Sequence, residues 1–151
     1  RREVPATGRM APVRIKTGTL GNRRNLFVSQ QHRMLLRSDA GIRLFGEREL
    51  FVPAKKLIDD SLITIREGGT VCYFHLLFDR HEVILAEGCP AESLFLGAEG
   101  WKTMSPEARA EILTLFPGFV CDATGASGYG PLARPMIPKP GQALRLLHAA
   151  A

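Results

Sequence analysis

Turn-forming residues interrupt this chain at short intervals before residue 97, and this feature restricts its possible folds the most. Turn sequences recur at residues 21–25 (GNRRN), 37–41 (RSDAG) and 68–69 (GG), with short apolar segments between them. The pattern leaves no room for a long helix in this part of the chain. Short strands at such spacing predict an all-β domain, which we place at residues 1–96.

Alternation of apolar and polar residues locates individual strands. In PVRIKTGTL (12–20), Val13 and Ile15 fall on one face of a strand. LFVSQQHRMLL (26–36) contains two apolar runs around a polar interruption, which predicts two strands joined by a turn. Pro53 predicts a sheet edge or a strand end, because proline has no backbone N–H to donate to a neighbouring strand.

The sequence changes in character after Gly97. In the segment 105–116, Ser105 is a typical helix N-cap and Pro106 stands at the first helical position, so we predict a helix there. The residues that follow are rich in glycine and proline. We therefore expect a C-terminal extension at 97–151, with one helix and a Gly/Pro-rich tail.

The composition excludes several classes of protein. The chain has 151 residues, 45% of them hydrophobic and 23% charged, as in a globular domain. Its net charge of +5 comes from scattered basic residues without interleaved aromatic residues, which argues against nucleic-acid binding. No apolar run approaches the roughly 18 residues of a membrane span. The cysteines are odd in number and widely spaced, which argues against a disulfide framework and a zinc knuckle: Cys72, Cys89 and Cys121.

Ser29 and His32, in VSQQH, form the first candidate site. A hydroxyl and an imidazole three residues apart can face one pocket if the chain turns between the two apolar runs. Imidazole is the natural general acid or base near neutral pH. The alternative is a turn histidine that bonds a backbone carbonyl group.

A second candidate site consists of His75, Asp79 and His81. In a strand these three side chains would share one face, and Asp79 could then fix the tautomer of His81. The same residues could bind a metal ion, although their spacing is not a familiar metal pattern. The third alternative is a strand end whose polar side chains reach solvent.

Cys89 is the third candidate, because it stands in a predicted tight turn between Gly88 and Pro90. A reactive cysteine needs a cation or a helix N-terminus near its thiolate. Glu87 and Glu92 would instead raise its pKa if they lay close. The alternative is a small apolar residue without a chemical role.

Four ordered segments give the chain a family resemblance: PVRIKTGTL (12–20), VSQQHRMLL (28–36), VPAKKLI (52–58) and VCYFHLLFDRHEVILAEGCPAES (71–93). Together they resemble the Hint (Hedgehog/intein) superfamily, and most closely its bacterial autoprocessing members. The resemblance implies a horseshoe-shaped β-fold, present here in part. It covers most of residues 12–96.

The resemblance implies self-processing without a cofactor, with the chain's own upstream polypeptide as substrate. A Cys or Ser at the start of the domain attacks the preceding carbonyl, giving a (thio)ester by an N-to-S or N-to-O acyl shift. The Thr/Ser-x-x-His motif falls on Ser29 and His32. The later block falls on Asp79 and His81, with His75 in the same segment as a supporting residue.

Two departures from the family pattern matter. The His-Asn pair of splicing inteins is replaced by EGCPAES (87–93), so we expect cleavage without splicing. Residues 1–11 contain neither Cys nor Ser, so the first nucleophile is missing and we expect the chain to be a fragment that lies C-terminal to the nucleophile block. We expect synthesis in the cytoplasm, and the resemblance leaves open whether a bacterium secretes the parent protein.

Two further hypotheses remain beside self-processing. One is a non-catalytic Hint-like β-scaffold that serves as a structural or interaction module of a larger bacterial protein. The other is metal binding by His75, Asp79 and His81, which would be seen as zinc retained through gel filtration.

Overall fold

The structure of the chain is a computed structural model. It describes residues 2–102, 104–122, 125–127, 129–137, 143, 144 and 146. Contacts divide the chain into two compact units. The first unit comprises Arg1–His75, Val83–Glu92 and Arg134–Ala151, and the second comprises Leu76–Glu82 and Ser93–Ala133. The division that we predict from sequence, into residues 1–96 and 97–151, stays a prediction.

Short strands dominate the described residues. They are β1 (Arg2–Pro5), β2 (Val13–Ile15), β3 (Leu26–Val28), β4 (Arg33–Arg37), β5 (Glu49–Pro53), β6 (Ile63–Ile65), β7 (Thr70–Tyr73), β8 (Val83–Ala86), β9 (Cys89–Glu92), β10 (Val120–Asp122) and β11 (Gly125–Ser127). The α-helices are α1 (Asp39–Phe45), α2 (Ala98–Lys102) and α3 (Pro106–Leu115), and single 3₁₀ turns cover Gly8–Met10 and Ala54–Lys56.

The first unit contains three antiparallel sheets. β1 pairs with β7, the second sheet has the order β3-β2-β6, and the third has the order β5-β4-β9-β8. Val13 and Ile15 are fully buried, as their alternation in the sequence predicts. The two strands predicted on either side of the VSQQ interruption are confirmed as β3 and β4. Pro53 ends β5, which is an outer strand of its sheet.

One hydrophobic core joins the second and third of these sheets. It contains residues from all three parts of the first unit, including Met34, Val52, Leu57, Ile63, Ala91 and Leu146. Because apolar side chains of β2, β4, β5, β6 and β9 meet in this core, a strand that shifts its register exposes buried surface. The positions of the loops between these strands are therefore well determined.

Helix α1 replaces the turn that we predict at RSDAG (37–41), so that prediction is wrong. The hydroxyl of Ser38 accepts a hydrogen bond from the Ala40 N–H at 3.1 Å, which caps the helix, and Gly46 ends it with a φ of 75°. Ser and Asp at the start of such a segment suit a turn and a helix N-cap equally well. Here the buried Ala40 and Gly41 favour the helix.

The second unit has a separate apolar core formed by Leu96, Trp101, Phe119 and Tyr129. The helix predicted at 105–116 is confirmed as α3, and the Ser105 hydroxyl accepts a hydrogen bond from the Ala108 N–H. Ile112 packs against this core, whereas Leu115 is 64% exposed. The strands of the first unit and the helices of the second confirm a mainly β fold with a small helical C-terminal part.

Candidate functional site

Ser29 and His32 occupy the two ends of a tight turn between β3 and β4. The His32 N–H donates a hydrogen bond to the Ser29 carbonyl at 3.0 Å, as expected of a β-turn. Both side chains are half-buried. The chain therefore turns at the place where the hypothesis of a shared Ser–His pocket requires a turn.

Hydrogen bonds from two other segments fix this turn. The Ala54 N–H donates to the His32 carbonyl at 2.8 Å, and the Lys55 N–H donates to the Gln30 carbonyl at 3.0 Å. The Gln30 amide nitrogen donates to the carbonyls of Gly8 (2.8 Å) and Ala11 (3.1 Å). Because these hydrogen bonds link the turn to two other segments, the His32 imidazole projects from a rigid support.

An ion pair lies next to the turn. The Arg33 backbone N–H donates to Glu92 Oε1 at 2.8 Å, and its guanidinium donates to Oε2 at 2.5 Å. The side chain of Glu92 is only 9% exposed and that of Arg33 is 23% exposed. In the sequence, Glu92 stands out only as a neighbour of Cys89. Its partner is 59 residues away in sequence, so no local pattern reveals the pair.

His32 is a neutral imidazole at pH 7. Burial lowers its pKa below the ordinary value, Glu92 opposes that shift, and His75 and Arg33 add to it. A neutral imidazole can accept a proton from a hydroxyl or thiol. Once protonated, an imidazolium of low pKa is a strong donor. The site can therefore carry a proton between two reacting groups.

His75 belongs to the same electrostatic environment. It follows β7, whose last residue, Tyr73, donates its hydroxyl hydrogen to the Met10 carbonyl at 2.9 Å. The side chain reaches solvent, yet surrounding protein atoms desolvate it enough to lower its pKa, and Glu92 opposes this shift. The structure thus places His75, Arg33 and Glu92 within electrostatic range of His32.

The expectation that His75, Asp79 and His81 share one strand face is wrong. β7 ends at Tyr73 and β8 begins at Val83, and the residues between them form no strand. The stretch between β7 and β8 instead bonds the backbone of residues 93 and 94, which follow β9. The Ser93 N–H donates to the Glu82 carbonyl at 2.9 Å, and the Leu94 N–H donates to the Leu76 carbonyl at 2.7 Å.

Asp79 and His81 belong to the second unit. Asp79 is exposed. His81 is 3% exposed, its Nδ1 accepts a hydrogen bond from the Ala133 N–H at 3.0 Å, and its ring lies edge-on to Phe95 with 5.2 Å between centroids. An Nδ1 that accepts a hydrogen bond requires the proton on Nε2, so this bond fixes the tautomer that we expected Asp79 to fix.

Cys89 lies in β9 and is 1% exposed. Burial raises the pKa of its thiol to about 11. The carboxylates that we expected to raise this pKa are not its cause. A protonated thiol in an apolar core is a weak nucleophile, so Cys89 packs as a small apolar residue.

The described ranges have neither a metal-ligand cluster nor a membrane-spanning helix. These ranges contain no group of three or more His, Cys, Asp or Glu side chains arranged to bind a metal ion. None of the helices in them has the length and apolar character required to cross a bilayer.

Comparison with known proteins supports one family. The family model described as "Hint domain" matches residues 1–98. Searches of curated proteins and of solved structures found no match. The matched region contains the His32 turn and Glu92, and it ends before α3.

Proposed function

Because the chain belongs to the Hint domain family, we propose that it is part of a self-processing domain that cleaves the preceding peptide bond without splicing. The observation that carries this proposal is the rigid turn that presents His32 as a neutral, half-buried imidazole. The reaction requires a Cys or Ser nucleophile that residues 1–11 do not contain. We propose that the sequence preceding this chain supplies it, as the family pattern implies.

The proposed chemistry is an acyl shift assisted by His32. Neutral His32 takes the proton from the attacking thiol or hydroxyl, whose sulfur or oxygen forms a bond to the preceding carbonyl carbon. The carbon–nitrogen bond then breaks, and His32 returns the proton to the departing amide nitrogen. Ser29, at the other end of the turn, helps to hold the scissile peptide. Water or another nucleophile finally cleaves the ester.

The other predicted site residues have secondary roles in this proposal. His75 lies in the electrostatic environment of His32 and adjusts its protonation. Asp79 and His81 take the roles that the family resemblance gives to the acidic residue and the histidine of the later block. One ring nitrogen of His81 is already bonded to Ala133, which favours a role in holding structure.

The test uses the full-length protein that contains this chain. Incubation with hydroxylamine or dithiothreitol should release the upstream part, seen by gel electrophoresis and mass spectrometry, because hydroxylamine attacks esters and thioesters and dithiothreitol attacks thioesters. His32→Ala should abolish release. Gln31→Ala is the matched control, since Gln31 is an exposed residue of the same turn. Cleavage by His32→Ala at the wild-type rate would contradict the mechanism.

A second function is a Hint-like β-scaffold without catalysis. It is favoured by the buried, protonated thiol of Cys89, which makes this cysteine a poor nucleophile. A full-length protein that stays intact in both reagents would support the scaffold over self-processing.

A further inference from the structure

Residues 134–137 run along the outer edge of β5, and we call them the C-terminal strap. The Phe51 N–H donates to the Pro135 carbonyl at 2.8 Å, and the Ile137 N–H donates to the Phe51 carbonyl at 3.0 Å. These two bonds form a parallel bridge between Phe51 and Met136. The strap lies beyond the residues that the family model matches.

The strap bonds backbone groups on an edge of β5 that would otherwise be open to solvent. β5 pairs with β4 on one side only, so its other side presents backbone groups at alternate residues. Phe51 is the middle residue of β5, and Pro53 has no N–H to offer. The strap therefore takes both hydrogen-bonding groups of the central residue on this edge.

Side chains of the strap, of Ala143 and of Leu146 lie in the core of the first unit. Ile137 is 7% exposed, Ala143 is fully buried and Leu146 is 1% exposed, and all three belong to the core that contains Val52. Arg134 forms an ion pair with Glu49, which also accepts a hydrogen bond from Arg37. The ion pair and these buried side chains hold the strap beside β5.

β5 leads directly to the groups that fix the His32 turn. Pro53 is followed by the 3₁₀ turn Ala54–Lys56, whose first two N–H groups bond the carbonyls of His32 and Gln30. Only two residues separate Phe51 from Ala54, and Ala54 is fully buried. A displacement of β5 at Phe51 is therefore transmitted to the His32 turn over a short, well-packed segment.

We propose that the C-terminal strap is a positioning element for His32, acting through β5 and the Ala54–Lys56 turn. The Hint unit of this protein is then incomplete at the end of the family match and needs residues contributed from after Ala133. The effect of the strap on cleavage rests on the proposed function, whereas its effect on the position of His32 does not.

Hydrogen exchange in the whole chain tests the coupling. Ile137→Ala removes the buried side chain of the strap, and Met136→Ala, at a residue 45% exposed, is the matched control. We expect exchange at the Ala54 and Lys55 amides to become about tenfold faster in Ile137→Ala, with less than about a twofold change at the Arg23 amide, which bonds the Glu87 carbonyl. Equal acceleration at all three amides, or none, would overturn the proposal.

An NMR titration of the His32 imidazole gives a second readout. A general loss of stability does not change the pKa that it measures. Loosening of the turn admits water, so the lowered pKa of His32 should rise toward its ordinary value of 6.5 in Ile137→Ala. Ile137→Val should restore the wild-type titration, because it keeps most of the buried volume. A His32 titration in Ile137→Ala that matches wild type would refute positioning.

Cleavage of the full-length protein separates the two proposals. Slower release in Ile137→Ala than in Met136→Ala would link the strap to the reaction. If wild-type protein does not cleave, the proposed function fails, and the exchange and titration results still decide whether the strap positions His32.

Discussion

Replacing Arg33 with methionine removes the guanidinium that neutralises Glu92 but keeps most of the apolar stem of the side chain. Removing one partner of a buried ion pair costs about 3–5 kcal/mol, because the other charge stays desolvated. The Glu92 side chain is 9% exposed and keeps the Arg33 backbone N–H as a donor. Arg33 itself is 23% exposed. We therefore expect the lower end of this range, about 3 kcal/mol less free energy of unfolding.

Arg37→Met is the matched control on the same strand. Arg37 also bonds a glutamate at 2.5 Å, but its side chain is 62% exposed, and Glu49 retains Arg134. We expect this substitution to cost less than about 1 kcal/mol, since exposed pairs contribute little. Urea unfolding followed by the NMR signals of Val13 and Ile15 reports on the core of the first unit directly.

A second substitution separates loss of charge from loss of packing. In Arg33→Met combined with Glu92→Gln, the buried carboxylate is gone, while the amide oxygen still accepts from the residue 33 N–H. We expect the double variant to recover more than half of the lost stability. The reasoning is refuted if Arg33→Met costs no more than Arg37→Met, or if adding Glu92→Gln recovers nothing.

Two further predictions concern titration and reactivity. Desolvation lowers the pKa of His32 and of His75 below 6.5, so the unfolded chain binds protons more readily than the folded chain. The stability that depends on these neutral imidazoles is complete above about pH 6.5 and is lost as the pH drops through the lowered pKa values. Urea midpoints measured from pH 8 to 5 should therefore fall less steeply in the double variant His32→Gln/His75→Gln than in wild type, and an equal fall would contradict this. The Cys89 thiol, with a pKa of about 11, should resist iodoacetamide at pH 8 while the half-buried Cys72 reacts. Peptide mass spectrometry measures both, and equal labelling of the two cysteines in native protein would count against the burial of Cys89.

The features that sequence predicted have local causes. The two apolar runs around VSQQ require a turn, and that turn places Ser29 and His32 together. Ser105 and Pro106 start α3 because the N-cap and first-turn preferences act within four residues. Patterns of this range are visible in any single sequence.

The features that sequence missed depend on distant partners. Strand periodicity placed Asp79 and His81 with His75, but the backbone of residues 76–82 bonds Ser93 and Leu94 instead. Glu92 gains its role from Arg33, and neither residue stands in a pattern that indicates the other. Helix α1 was missed for a different reason, since Ser38 and Asp39 are equally common in turns.

The first unit is built from three separate stretches of the chain, and this has a consequence for synthesis. The ribosome releases residues 1–75 before the strap and Leu146 exist, so β5 and the His32 turn lack their outer support until these later residues have been made. Residues 93–133 are contiguous and can form their own core earlier. In a self-processing domain this order delays cleavage until the strap has left the ribosome, so the reaction waits for residues that lie beyond the matched Hint region.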